Sequence, residues 1–151
     1  MKFFERFKSS NNNENDKTVL FVCVENAGRS QMAEGFFKKY CPNRFKAQSA
    51  GTKPISQINP IAVQVMKEIG IDISKQKSKE LSEEMMRDSE PIVNMGCMDK
   101  NFCPTLFLPK AIEWNLPDPK GKSIEEVREI RDEIEKMVKE LVAEITTTSK
   151  K

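Results

Sequence analysis

The chain has 151 residues, a formal net charge of +2, 38% hydrophobic residues and 32% charged ones. That length supports one domain with a real core, the slight charge argues against nucleic acid or a membrane as partner, and no apolar run approaches a membrane span. Four cysteines and no histidine exclude His-based triads and His-ligated zinc, leaving thiols and carboxylates to carry any proton or group transfer.

The opening Met1–Lys8 is interrupted by charges and lacks a signal peptide's apolar core. Cysteines without an export signal point to a reducing, cytoplasmic setting, where they serve catalysis or metal binding more often than structure. Ser9–Lys17 is a polar, low-complexity linker expected to be disordered. Ahead of it, Phe3, Phe4 and Phe7 fit either a tail packed loosely on the domain or a short docking turn, the tail being the plainer reading. The expected organisation is a flexible tail over 1–17, one domain over 18–146 and a C-terminal tail over 147–151.

The run Val19-Leu20-Phe21-Val22-Cys23-Val24 is rich in β-branched residues and reads as a buried parallel strand. A helix follows, with Met32, Ala33, Phe36, Phe37 and Tyr40 on its apolar face, and Cys41-Pro42-Asn43 punctuates a turn. Phe45–Ala50 reads as a second strand ending at Gly51. Asn59-Pro60 opens a helix through Ala62, Met66 and Ile69 that stops at Gly70. A short helix is expected over Ser82–Arg87 and a third strand over Ile92–Met95. Residues 97–109 form a loop with two cysteines, Lys110–Trp114 a fourth strand, and Pro117-Asp118-Pro119 a rigid turn. Ser123-Ile124-Glu125-Glu126 is a capping box. The last helix carries Val127, Ile130, Ile134, Met137, Val138, Leu141 and Ile145 at helical spacing. Strands alternating with helices imply an α/β fold with a four-stranded, open parallel sheet flanked by helices.

In such sheets ligands sit at the carboxyl ends of the strands, where the loops carrying Cys23, Cys97 and Asp118 should meet. Strand, tight loop and helix is also the geometry of an oxyanion site, because loop N–H groups and a helix N-terminus converge on one point. The candidate oxyanion-binding residues are Val24, Glu25, Asn26, Ala27, Gly28, Arg29 and Ser30. Positive potential there favours the thiolate of Cys23. Arg29 adds a planar fork suited to two anionic oxygens. Ser30 is an N-cap candidate whose hydroxyl is also placed to hydrogen-bond the thiolate.

Cys23-x5-Arg29-Ser30, continued by Gln31-Met32-Ala33-Glu34 and followed in order by Ser49-Ala50-Gly51 and Asp118-Pro119, resembles the low-molecular-weight protein-tyrosine phosphatase superfamily. The likeness runs from Thr18 to about Ile145. Within it, Cys23-Val24-Glu25-Asn26, Met95-Gly96-Cys97, Cys103-Pro104 and Trp114-Asn115-Leu116-Pro117-Asp118-Pro119 are similar to the thioredoxin-coupled arsenate reductases. The resemblance implies the strand order 2-1-3-4. It also implies Cys23 as nucleophile, Asp118 as general acid, Arg29 and the loop amides as holders of arsenate or phosphate, and Asn26 as keeper of the loop's shape. Cys97 and Cys103 would complete a disulfide relay reduced by thioredoxin or another thiol reductant. Six helical residues rise about 9 Å, beyond the roughly 7 Å Cα limit of a disulfide, so the 97–103 segment is expected to be mobile and non-helical when oxidised. No cofactor or metal is expected, and a monomer is.

Other readings stay open on the residues alone. Asp118 between prolines, without the family match, reads first as an ordinary turn residue. A buried cysteine is often a small hydrophobe, which suits Cys41, and a four-cysteine zinc site lacks any Cys-x2-Cys pair. A phosphotyrosine phosphatase is the main rival, with Cys97 and Cys103 incidental; against it, Lys120-Gly121 stand where that family has ring-gripping aromatics. A non-catalytic anion-binding or redox-sensing module is the third. Three departures from the family also matter. Glu25 stands where glycine is frequent and should weaken anion binding unless it points outward. Gly28 replaces a frequent cysteine. Lys79 aligns with a carboxylate that binds potassium in some relatives, so its ammonium is expected in the ion's place and potassium dependence is not.

Overall fold

A computed structural model of the chain describes residues 17–41, 45–96 and 111–149. β1 (Lys17–Cys23) leads into α1 (Arg29–Tyr40), β2 (Phe45–Gly51), α2 (Pro60–Lys67), α3 (Glu83–Asp88), β3 (Ser89–Asn94), β4 (Ala111–Glu113) and α4 (Ile124–Ser149). All strand pairs are parallel and the order is β2-β1-β3-β4, as expected. After β2 the chain crosses to the other side of β1, so the switch point lies beside the carboxyl end of β1, where Cys23 sits.

Both faces of β1 are buried from Val19 on, which explains the unbroken apolar run Val19–Cys23. Val19, Phe21 and Cys23 join Met32, Phe36, Phe37, Ile134 and Val138 on the face covered by α1 and α4. Leu20 and Val22 join Ala50, Met86 and Ile92 on the other. Phe21 is fully buried and meets the rings of Phe37 and Trp114 at 6.0 and 5.9 Å. Truncating such a residue to alanine costs about 3–5 kcal/mol. Among the described residues, no helix is long and apolar enough to cross a membrane.

Caps and turns place the boundaries. Asn59 Oδ1 accepts from the N–H of Ile61 at 2.8 Å with Pro60 in the first turn. Ser123 and Glu126 form the reciprocal capping box, with N···O distances of 3.1 and 3.2 Å. Helix α2 ends at Lys67 instead of running to Gly70, because the left-handed Gly70 (φ +84°) sits at the end of a tight turn closed by Ile71 N–H to Met66 O at 3.0 Å. Two tail boundaries also shift. Lys17 is the first residue of β1, since Phe45 is there to pair with it, and α4 continues to Ser149. The third strand starts earlier, at Ser89, and the fourth is the short edge Ala111–Glu113. Met1–Asp16, Pro42 to Arg44 and the whole of the loop carrying Cys97 and Cys103 lie outside the described residues, together with the expectations made for them.

Candidate active site

Cys23 ends β1 and is 3% exposed. It opens a loop, Val24–Gly28, that delivers the chain to the first turn of α1. Every loop carbonyl is engaged from outside. Thr52 N donates to Cys23 O at 3.2 Å, Lys53 N to Val24 O at 2.8 Å, Ile55 N to Glu25 O at 3.1 Å and Asn59 N to Ala27 O at 2.8 Å. Gln31 Nε2 serves Asn26 O at 2.9 Å, and Met32 N serves Gly28 O at 2.9 Å. A peptide plane carries its N–H opposite its C=O. The amides of residues 24–29 therefore turn toward the concave side, where an anion's oxygens would be received.

Asn26 is fully buried and has a left-handed backbone (φ +52°), a conformation asparagine tolerates better than most residues. Its Oδ1 accepts from Lys79 N at 2.8 Å and its Nδ2 donates to Ser30 Oγ at 2.7 Å. Ser30 Oγ lies 2.9 Å from Cys23 Sγ. Because that oxygen already accepts from Asn26, its own proton is free to point at the sulfur and support a thiolate. Ser30 is not the N-cap expected from its type. The helix begins at Arg29, so the N-cap is Gly28, two residues before Ser30, with no side-chain cap, and the serine hydroxyl is committed to Cys23 and Asn26. Gly51, paired with Cys23 across β1 and β2, must lack a side chain: a Cβ there would stand 2.5 Å from Val24 O and 2.9 Å from Asn26 N.

Arg29 is 8% exposed. Its Nη1 donates to Leu116 O at 3.0 Å, and its Nη2 lies 3.8 Å from Asp118 Oδ2. Gly96 (φ +130°) lies against the guanidinium, and any Cβ on it would overlap Nη1. Asp118 sits over the site with its side chain 55% exposed, and its Oδ1 accepts from Lys120 N at 3.0 Å. Cys23, Glu25, Arg29, Asp118, Pro119 and Lys120 are among the residues lining one cavity of about 280 Å³, roomy for a tetrahedral oxyanion. Glu25, expected to repel an anion unless it pointed outward, instead reaches across to Lys120 Nζ at 3.1 Å.

The structure thus brings Cys23, the 24–30 loop, Arg29 and Asp118 to one place. Cys97 and Cys103 lie outside the described residues; Gly96, the neighbour of Cys97, reaches Arg29. Cys41, buried at the far end of α1, is separated from Cys23 by a helix about 18 Å long, which rules out a zinc ion shared by the two. Sequence reading alone did not single out Leu116 O, Gly96 or the Lys120 bridge. A glycine next to a candidate cysteine was the one available signal.

Fold and site together define an open, parallel α/β protein with a buried thiol at the focus of the loop that joins its first strand to its first helix. The chain belongs to the low molecular weight phosphotyrosine protein phosphatase family, whose model matches residues 18–151. An arsenate reductase of Brevibacillus brevis is 39% identical over 127 residues, covering 83% of this chain and 94% of the relative. A glutaredoxin arsenate reductase of Synechocystis is 35% identical over 86% of this chain and 99% of its own. Among solved structures, a thioredoxin-dependent arsenate reductase of Corynebacterium glutamicum superposes with a TM-score of 0.77 at 32% identity, covering 93% of this chain and 67% of that one.

Proposed function

We propose that the chain is an arsenate reductase that turns arsenate into arsenite and is recharged by a thiol reductant. The observation that carries this reading is the buried Cys23 Sγ, set beside Ser30 Oγ at 2.9 Å and ringed by amides whose carbonyls all face away, in a chain whose relatives are named for that activity.

Arg29 and the loop amides hold three arsenate oxygens. The Cys23 thiolate attacks arsenic, an S–As bond forms, and the departing oxygen takes a proton from Asp118 and leaves as water. A second thiolate, assigned to Cys97 by the resemblance, attacks Cys23 Sγ. An S–S bond forms, the S–As electron pair passes to arsenic, As(V) becomes As(III), and arsenite leaves. Cys103 then attacks Cys97, freeing Cys23 as thiolate and leaving a Cys97–Cys103 disulfide. A dithiol reductant supplies two electrons and two protons to restore it. The Cys97–Cys103 pair favours thioredoxin as that reductant, with glutaredoxin or another thiol carrier as the alternative. Such a cycle belongs in the reducing cytoplasm. Among the described residues Ile55 is the one exposed large hydrophobic side chain, which favours a monomer.

Phosphate monoesters present the same tetrahedron, so slow hydrolysis through a phosphocysteine accompanies this reading. The decisive assay is NADPH consumption with arsenate, thioredoxin and thioredoxin reductase, run beside aryl phosphate hydrolysis, for wild type and Cys97→Ser. Arsenate turnover abolished by Cys97→Ser, with hydrolysis retained, is the expected result. A wild type that ignores arsenate and hydrolyses the ester is a phosphatase.

A further inference from the structure

The sequence gives this site a feature its chemistry does not require: a carboxylate on the oxyanion loop itself. Glu25 lies two residues after Cys23, lines the same cavity, and is only 28% exposed. An unpaired negative charge there would oppose the entry of any oxyanion and offset part of what Arg29 contributes. Its Oε2 is 3.1 Å from Lys120 Nζ, 95 residues away in sequence. Lys120 has a second tie, its backbone N–H donating to Asp118 Oδ1 at 3.0 Å. Between these two contacts, Pro119 closes on Gly28 so tightly that a Cβ on the glycine would stand 2.7 Å from Pro119 Cγ.

We propose that Lys120 is a positioning residue that latches the Asp118 turn onto the oxyanion loop and neutralises Glu25, so that oxyanion affinity depends on the pair and not on either residue alone. This rests on the oxyanion-site reading above. An exposed ion pair of this kind stabilises the fold little, and the Lys120 side chain is 68% exposed. Its effect falls on what enters the cavity. With the bridge made, the loop presents Arg29 and amides to the anion. With the ammonium removed, Glu25 is left as a bare charge at the mouth, and the Asp118 turn loses its side-chain tether.

The test is protection of Cys23 from iodoacetamide by inorganic phosphate, a binding readout that needs neither turnover nor a reductant. It is run on wild type, Lys120→Met, Glu25→Gln, the double variant and Lys120→Arg, at low and high ionic strength. Lys120→Met is expected to weaken protection about fivefold at low salt, and less at high salt as the unmasked charge is screened. In the Glu25→Gln background the same change is expected to matter less than twofold. Lys120→Arg keeps the cation and is expected to stay within about twofold of wild type. Equal losses from Lys120→Met in both backgrounds, or no loss in either, overturn the latch while leaving the site standing. A wild type that phosphate does not protect overturns the oxyanion reading itself, and the latch with it. Arsenate kinetics supply a second readout: the defect of Lys120→Met should appear in KM before kcat.

Discussion

Ser30 Oγ stands 2.9 Å from Cys23 Sγ while accepting a hydrogen bond from Asn26 Nδ2 at 2.7 Å. The asparagine thereby decides which way the serine proton points. Removing the hydroxyl by Ser30→Ala deletes the side-chain hydrogen-bond partner of the Cys23 sulfur, a loss of about 1.5 kcal/mol, or roughly tenfold. Alkylation of Cys23 by iodoacetamide at neutral pH should slow by about that factor. An unchanged rate in Ser30→Ala would mean that the serine hydroxyl does not govern the reactivity of Cys23.

Gly96 and Arg29 form the other tight contact. A methyl group on Gly96 meets the guanidinium, so Gly96→Ala is expected to push Arg29 off its anchor on Leu116 O and raise KM for arsenate at least tenfold, the scale of one charge-assisted bond. Strain from a positive φ must be separated from this steric effect. Gly70, with φ +84° and nothing within 4 Å of its virtual Cβ, is the control. Gly70→Ala should lower thermal stability and leave KM alone, and a matching rise in KM for both variants would sink the steric account.

Much of this architecture was legible because local rules and the fold agree. The unbroken apolar run of Val19–Cys23 is what a strand buried on both faces requires, and the Asn59-Pro60 and Ser123-Glu126 signals marked two helix starts. The Cys23-x5-Arg29 spacing marked the loop because so short a segment must curl between strand and helix. What stayed hidden depends on partners distant in sequence. Gly51 and Gly96 matter through backbone and guanidinium atoms brought in by the sheet, and Lys120 through a carboxylate 95 residues away. Ser30 bonds the Cys23 sulfur as expected but is not the N-cap, for a different reason. N-cap preference is a statistical local rule, and here two closer claims on the hydroxyl prevail.

Lys79 leads to a prediction about ions. Its Nζ donates to Lys77 O at 2.9 Å, and Gln31 Nε2 donates to the same carbonyl at 3.0 Å. Burial pushes the Lys79 ammonium below its ordinary pKa, with nearby Glu34 opposing the shift. Glu34 is itself occupied by Ser49 Oγ and Lys38 Nζ. The Lys77 carbonyl and the Glu34 carboxylate, the oxygens behind the loop suited to a monovalent cation, therefore already have donors. Replacing choline by potassium at fixed ionic strength is expected to leave the arsenate reduction rate within about twofold, whereas a clear rise with potassium contradicts the assignment.

Tyr40 is the chain's single tyrosine, which makes its titration directly readable. Its hydroxyl donates to Glu135 Oε2 at 2.5 Å, and that bond, aided by burial and the carboxylate's charge, pushes its pKa from 10.0 up to about 12. The folded state thus holds the proton more tightly than the unfolded chain does. The bond's contribution is fully present below about pH 10 and is lost as the pH climbs toward 12. Because Tyr40 closes α1 and Glu135 belongs to α4, the loss loosens the packing of these two helices. Tyrosinate absorbance of the folded protein should stay low at about pH 11 and be well developed there in Glu135→Gln, whose stability should also depend less on pH over that interval. Superimposable absorbance titrations of the two folded proteins would show that the Glu135 bond does not govern the phenol.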